Sequence, residues 1–175
     1  MSSPHHRNYV QRLVGDVRLL ALGSRQQTDA EFEEHLAEAI AMGPSVRRVI
    51  VAIQGAPTMS ADRRAKLDRA GLLVPPTAVL SDSPLIRGIL TALCWLGANA
   101  RPFPPNGVEQ ACEFLGVPSL ERPALTRELS AMFAELTGDS ERAEPHPNVG
   151  LVALAEQIKR AVGVRSSNIR GNGSK

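Results

Sequence analysis

The chain has 175 residues and a mass of 18.8 kDa, which suits one ordinary domain with some residues left over for an arm or a tail. Hydrophobic residues make up 43% and charged residues 22%, a composition that excludes a wholly disordered chain, a collagen-like repeat and a disulfide-stapled mini-protein. The 20 basic and 18 acidic residues leave a net charge of +2, and aromatic residues make up only 3%. We therefore expect no nucleic-acid partner, because a broad basic surface and a base-stacking platform are both missing.

The cysteines and the apolar runs indicate in which cellular compartment the protein is expected. Cys94 and Cys112 each lie in an apolar pattern, without a Cys-x-x-Cys pair, which predicts buried thiols in a reducing compartment rather than a metal site. The first eight residues lack the apolar segment of a signal peptide. The longest apolar run, residues 84–95, is interrupted by Arg87 and is shorter than the roughly 20 residues of a membrane span. We expect a soluble, cytoplasmic protein without a membrane span.

The first two predicted elements form a hairpin. Residues 9–14 and 17–22 are β-prone runs, and Gly15 and Asp16 between them make a two-residue loop of the kind that closes tight hairpins.

A capping box predicts where the first helix begins. Thr28 and Glu31 have the spacing at which each side chain satisfies a free amide of the other residue. Phe32, Leu36 and Ile40 follow at helical spacing, and Gly43-Pro44 ends the helix.

The elements that follow alternate between strand and helix. Residues 46–53 are nearly continuous in apolar side chains, which predicts a strand covered on both faces. We then predict a helix over 60–70, a strand over 76–80, a well-buried helix from Ser83-Pro84 to Gly97, an edge strand over 101–103 and a helix over 106–115 capped by Asn106. This order predicts an α/β fold, a mixed sheet of four to five strands with packed helices over residues 9–117.

The remaining residues have a different character. Leu125, Leu129, Met132, Phe133 and Leu136 form an apolar stripe, which is typical either of an arm folded onto its own domain or of a helix that binds a partner. The predicted segments outside the domain are a disordered amino terminus (1–8), an amphipathic helical extension (118–137), a linker (138–148), a short helix (149–163) and a disordered tail (164–175).

The search for catalytic residues yields little. The chain has no G-x-S-x-G, no phosphate-binding P-loop and no G-x-G-x-x-G. His35 lies beside Glu31 and Glu38, so a carboxylate–histidine relay can be imagined, but the helical pattern favours an exposed surface histidine among glutamates. Cys94 lies in the most apolar helix, which favours a structural thiol. We expect a non-enzyme without cofactor or metal.

Four segments carry a family resemblance. They are Arg48-Val-Ile-Val-Ala-Ile53, Ala78-Val-Leu80, Arg101-Pro-Phe103 and Glu113-Phe-Leu115. In this order, over residues 9–117, they resemble the STAS domain of the anti-sigma-factor antagonists, in particular the SpoIIAA-like bacterial proteins. The resemblance implies a STAS-like sheet and a role in regulation or partner switching.

The resemblance also implies a phosphorylation site at the start of the helix after the central strand. The corresponding stretch here is Pro57-Thr-Met-Ser60-Ala-Asp62, which lacks the Asp-Ser and the glycine of the family's motif. Ser60 falls near the phosphoacceptor position, and Thr58 is a second candidate. In a register shifted by two, Asp62 occupies the position as a permanent negative charge. Ser60 can also be a plain helix cap.

The predicted function is therefore non-enzymatic regulation or scaffolding through a protein partner, such as a regulator, a kinase or a structural assembly. A second copy of the chain, in a homo-oligomer, is a further candidate partner. The alternative is a carrier of a small molecule, a lipid or a nucleotide, in an apolar cleft under residues 85–96. The basic helix is either a docking surface or a solvated face. The candidate docking residues are Gln54, Met59, Asp62, Arg63, Arg64, Lys66 and Arg69.

Overall fold

A five-stranded mixed sheet organises the protein. The computed structural model describes residues 7–55, 58–95 and 99–140. The order of the strands in the sheet follows the order in the chain; β1 is antiparallel to β2, and the other neighbours are parallel. The strands are β1 (Tyr9–Val14), β2 (Val17–Leu22), β3 (Arg48–Ile53), β4 (Thr77–Ser81) and β5 (Ala100–Phe103). The predicted α/β class with a mixed sheet is confirmed.

Helices cover both faces of this sheet. The first three helices each connect two neighbouring parallel strands, and right-handed crossovers place such helices on one face; the last two pack on the other face. They are α1 (Asp29–Met42), α2 (Ala61–Arg69), α3 (Pro84–Trp95), α4 (Val108–Phe114) and α5 (Arg122–Ser140), with a short 3-10 turn at Gly43–Ser45.

The predicted hairpin is present, and it also positions the next strand. Gly15 adopts a φ of +61° between β1 and β2, a conformation that glycine reaches without steric cost. The Asp16 carbonyl accepts hydrogen bonds from the backbone N–H groups of Arg47 and Arg48, and the Asp16 carboxylate lies 2.8 Å from Nη1 of Arg48. The turn therefore fixes the start of β3 beside β2.

The capping box at the start of α1 is confirmed. Thr28 Oγ1 accepts from the Glu31 N–H at 3.2 Å, and Glu31 Oε2 accepts from the Thr28 N–H at 2.8 Å. Glu31 also accepts hydrogen bonds from the Asn8 N–H (2.9 Å) and from Nη1 of Arg25 (2.8 Å). One carboxylate thus joins the start of β1, the start of α1 and the loop between β2 and α1.

The apolar stripe of α5 lies in the main core. Leu125, Leu129, Met132 and Leu136 are all buried, in one cluster with residues of four strands and α4. Of the two interpretations of the stripe, the structure therefore supports the arm that folds onto its own domain. The cluster comprises Val17, Leu19, Ala21, Ile50, Ala52, Ala78, Leu80, Phe103, Ala111, Cys112, Leu115, Val117 and these four residues.

Three details of the predicted elements are wrong. Ile86 is the only buried residue among the α3 side chains that the structure describes, and Leu85 is 44% exposed, because α3 packs near the β5 edge of the sheet. Gly107 rather than Asn106 caps α4, without a side-chain hydrogen bond. Cys94 is only half-buried at the end of α3, whereas Cys112 is fully buried as predicted.

Some predictions fall outside the described residues. They are the disorder over most of 1–8, the end of α3 at Gly97, nearly all of the linker 138–148, the short helix 149–163 and the tail 164–175.

Candidate functional site

Two loops meet where the parallel strands end, which is the usual place for a binding site in an α/β sheet. Gln26, in the loop after β2, holds Thr58, in the loop after β3, by three hydrogen bonds. Gln26 Oε1 accepts from the Thr58 N–H at 2.7 Å and from its hydroxyl at 2.9 Å, and Gln26 Nε2 donates to the Thr58 carbonyl at 2.7 Å. These hydrogen bonds therefore fix the loop that leads into α2 to the loop after β2.

The two candidate phosphoacceptors differ in their surroundings. Ser60 is exposed and caps α2, since its Oγ accepts from the Arg63 N–H at 3.2 Å. Thr58 is half-buried, and its hydroxyl is engaged by Gln26. Asp62 is exposed in the first turn of α2. Ser60 is therefore the more accessible hydroxyl, and it stands at a helix N-terminus, where negative charge is stabilised.

Two of the four predicted basic residues of α2 are bound to α1. Nη2 of Arg63 lies 2.7 Å from Oδ1 of Asp29 and donates to the Gln27 carbonyl at 2.9 Å. The Arg63 guanidinium also stacks over the Phe32 ring, 5.0 Å from its centroid. Lys66 pairs with Glu33 at 2.5 Å. Because these side chains hold the two helices together, substituting them tests the fold as well as docking.

Four of the other five predicted docking residues face outward. Arg64, Arg69 and Asp62 have exposed side chains, and Met59 is 44% exposed. Gln54 is half-buried, and its backbone N–H donates to the Leu22 carbonyl at 3.0 Å. Met59, Ser60, Arg64 and Arg69 are called the α2 surface below; the helix also exposes the carboxylates of Asp62 and Asp68.

The prediction that His35 is an exposed surface residue is wrong. His35 is 5% exposed and lies between α1 and the sheet. Its ring is 5.4 Å from the Tyr9 ring and 6.1 Å from the Phe32 ring, measured between centroids. The buried stripe of α1 runs through Phe32, His35, Leu36 and Ala39, so the helix is rotated from the predicted face, and Ile40 is 52% exposed.

Sequence reasoning missed Arg18, the charged residue next to His35. Arg18 is the second residue of β2 and is 5% exposed. Burial lowers the pKa of its guanidinium. Burial and the nearby charge of Arg18 lower the pKa of His35 from 6.5 to about 4, against a smaller opposing effect of Glu38. A basic residue inside the otherwise apolar run Val17–Leu22 was the signal that could have identified it.

Tyr9, Gln11, Arg18 and His35 form a group of polar side chains on the α1 side of the sheet, called the polar cluster below. Gln11 Nε2 donates to the His35 carbonyl at 3.0 Å and to Glu38 Oε2 at 2.8 Å. Tyr9 is 1% exposed; burial, with Glu38 and Glu34 nearby, raises the pKa of its hydroxyl. Sequence reasoning had assigned no role to three of the four residues.

Within the described ranges, no group of three or more His, Cys, Asp or Glu side chains is arranged to hold a metal ion. The described helices are all too short or too polar to cross a lipid bilayer. Comparisons of the chain with protein-family models, with curated proteins and with solved structures find no match. The function is therefore argued from the chain's own residues.

Proposed function

We propose that this protein is a non-enzymatic regulatory or scaffolding protein with a STAS-like domain, which binds an acidic patch on a protein partner through the α2 surface. The observation that carries the proposal is that the basic side chains of α2 point in two directions. Arg63 and Lys66 point to α1 and make ion pairs there, whereas Arg64 and Arg69 are exposed. Two exposed arginines on α2 and the 44% exposed Met59 just before the helix combine charge with an apolar contact, as interface centres do.

The rigidity of this surface supports the proposal. Gln26 clamps the loop before α2, and Arg63 and Lys66 fix α2 to α1. Docking to a preformed surface costs little ordering of the protein. The two cysteines are free thiols, which supports the further proposal that the partner is met in the cytoplasm.

Ser60 is proposed as the switch of this interaction. A phosphate on Ser60 would keep its place at the α2 N-terminus, where backbone N–H groups favour negative charge. The same phosphate would stand beside Arg64 on the α2 surface and would repel an acidic partner. Phosphorylation would therefore release the partner without unfolding the domain.

The test compares two pairs of substitutions with the same change of charge. Arg64→Glu with Arg69→Glu reverses the charge of the α2 surface. Arg47→Glu with Arg127→Glu makes the same change at exposed positions elsewhere. We expect crosslinked or affinity-captured partner to fall at least tenfold with the first pair and to remain within twofold with the control pair. Circular dichroism checks that both variants are folded.

Equal capture by wild type and the Arg64/Arg69 variant would contradict the proposal.

The carrier function remains the second candidate, because apolar side chains of α3 such as Leu85 are exposed and are available to a lipid. Native mass spectrometry of the purified protein separates the two. A bound lipid or nucleotide without any protein partner would favour the carrier.

A further inference from the structure

The polar cluster has buried polar atoms without partners. Within the described part of the chain these are Oε1 of Gln11, Nε and Nη1 of Arg18, and both ring nitrogens of His35. Most proteins leave only a few such atoms per hundred residues. Here they come from three side chains on the same side of the sheet, and the charge of Arg18 acts on His35, so the group calls for an explanation as one site.

The sheet register places the strand residues of the polar cluster on one side of the sheet, with Arg18 closer to Gln11 than to Tyr9. Tyr9 and Gln11 are two residues apart on β1 and so face the same side. Gln11 is opposite Leu20, and Arg18 is two residues before Leu20 on β2, so Arg18 shares that side. His35 covers them from α1, with its ring against Tyr9 and its carbonyl bonded to Gln11.

The cluster carries an uncompensated positive charge. Arg18 makes no ion pair with any described residue, and burial is the sole cause of its lowered pKa. Two acids lie near the cluster, but neither pairs with Arg18: Glu38 accepts from Gln11 and Arg7, and Glu34 pairs with Arg7. His35 is neutral at pH 7 because its pKa is about 4. A buried arginine is retained when an anion compensates it.

We propose that the polar cluster is a binding site for a small oxyanion, a carboxylate or phosphate group, held by the Arg18 guanidinium with a His35 N–H as a further donor. Gln11 Oε1 and the second His35 nitrogen accept a hydrogen bond from a protonated oxygen of such a ligand or from a water molecule bound with it. The group arrives either as a free inorganic anion or as part of a small metabolite. This proposal is independent of the α2 surface.

The experiment measures the thermal unfolding of the full chain at pH 7 with added sodium phosphate or sodium acetate, against sodium chloride at equal ionic strength. The variant is Arg18→Met, which removes the charge and keeps an unbranched side chain. The matched control is Arg47→Met, the same substitution at an exposed position. Phosphate and acetate are tested first as free ions and then as the phosphate or carboxylate groups of small metabolites. The comparison distinguishes a free anion from a metabolite as the ligand.

We expect one of the two anions to raise the Tm of the wild type and of Arg47→Met by about 5 °C at a concentration far above its Kd. The anion should not raise the Tm of Arg18→Met. Calorimetry should show that this variant binds the anion at least tenfold more weakly than the wild type does. In anion-free buffer, Arg18→Met should be as stable as the wild type or more stable, because it removes an uncompensated buried charge.

A second measurement follows the His35 ring by NMR during a pH titration. A bound anion stabilises the imidazolium, so the anion should raise the pKa of His35 in the wild type and leave it unchanged in Arg18→Met. Equal Tm shifts in all three proteins, or no shift with either anion, would overturn the proposal.

Discussion

The two faces of the sheet are built from different kinds of side chain. On the side of α4 and α5, a continuous apolar cluster extends over four strands and both helices. On the side of α1 and α2, the buried apolar cluster among the described residues consists of Phe32, Leu36 and Leu67. Buried polar residues, Tyr9, Arg18 and His35, lie beside it.

Under the two proposals above, this difference separates stability from function within one small domain. Buried apolar area is the main stabilising contribution in a domain of this size, and α4 and α5 contribute most of the helical part of it. Buried polar groups without partners cost stability and so mark a face retained for another reason. The α2 surface and the polar cluster both belong to this second face.

The largest effect should come from the apolar face. Leu125→Ala removes a side chain that is 1% exposed from the middle of the large cluster, and we expect it to cost about 4 kcal/mol, or about 10 °C in Tm. Leu67→Ala, in the smaller cluster, should cost about 2 kcal/mol. Urea unfolding followed by circular dichroism measures both values. Equal losses would show that the two faces contribute alike.

The second effect is a pH dependence of the polar face. The unfolded chain protonates His35 near pH 6.5, whereas the folded protein does so only near pH 4. The contribution of His35 to stability is therefore complete above pH 6.5 and is lost as the pH falls towards 4, by about 3 kcal/mol in total.

His35→Leu tests this contribution. We expect the variant to lose much less stability than the wild type between pH 6.5 and 4.5, as measured by urea unfolding at each pH. Both proteins should share a further loss between pH 4.5 and 2. Burial raises the pKa of Glu31, but hydrogen bonds from Arg25, Thr28 and Asn8 outweigh that effect and lower it to about 2. The same slope in both proteins above pH 4.5 would show that His35 is not the responsible group.

The smallest effect distinguishes the inner and outer basic residues of α2. Arg63→Ala removes the ion pair with Asp29 and the stacking on Phe32, and we expect a loss of about 1–2 kcal/mol. Arg64→Ala removes an exposed side chain and should change stability by less than about 0.5 kcal/mol. Thermal unfolding of both variants checks the ranking, and a larger loss for Arg64→Ala would contradict the assignment of the α2 surface.

The sequence was informative where a local signal determines the structure. The hairpin at Gly15 and the capping box of Thr28 and Glu31 were predicted because each rests on residues within four positions of one another. The alternation of strands and helices then predicted the α/β class. The STAS-like resemblance and the docking residues stay predictions, because nothing observed so far tests them.

The errors concern which side of an element becomes buried. Phe32, Leu36 and Ile40 suggested one helical face, yet Ile40 is exposed and His35 is buried, because α1 rests on Tyr9 and Gln11 of β1. The apolar α3 was predicted to be well buried, but it packs near the edge of the sheet. Both outcomes depend on contacts between distant segments, which a periodic pattern does not contain.

The strand order has a consequence for how the chain folds. Since each strand lies beside its neighbour in the sequence, the sheet can grow one strand at a time as the chain leaves the ribosome. α5 is the exception, because it returns to the first hairpin, where Glu135 pairs with Arg12 at 2.7 Å. α4 covers the β4–β5 part of the apolar side, so the part over β1 and β2 stays open to solvent until α5 has been synthesised.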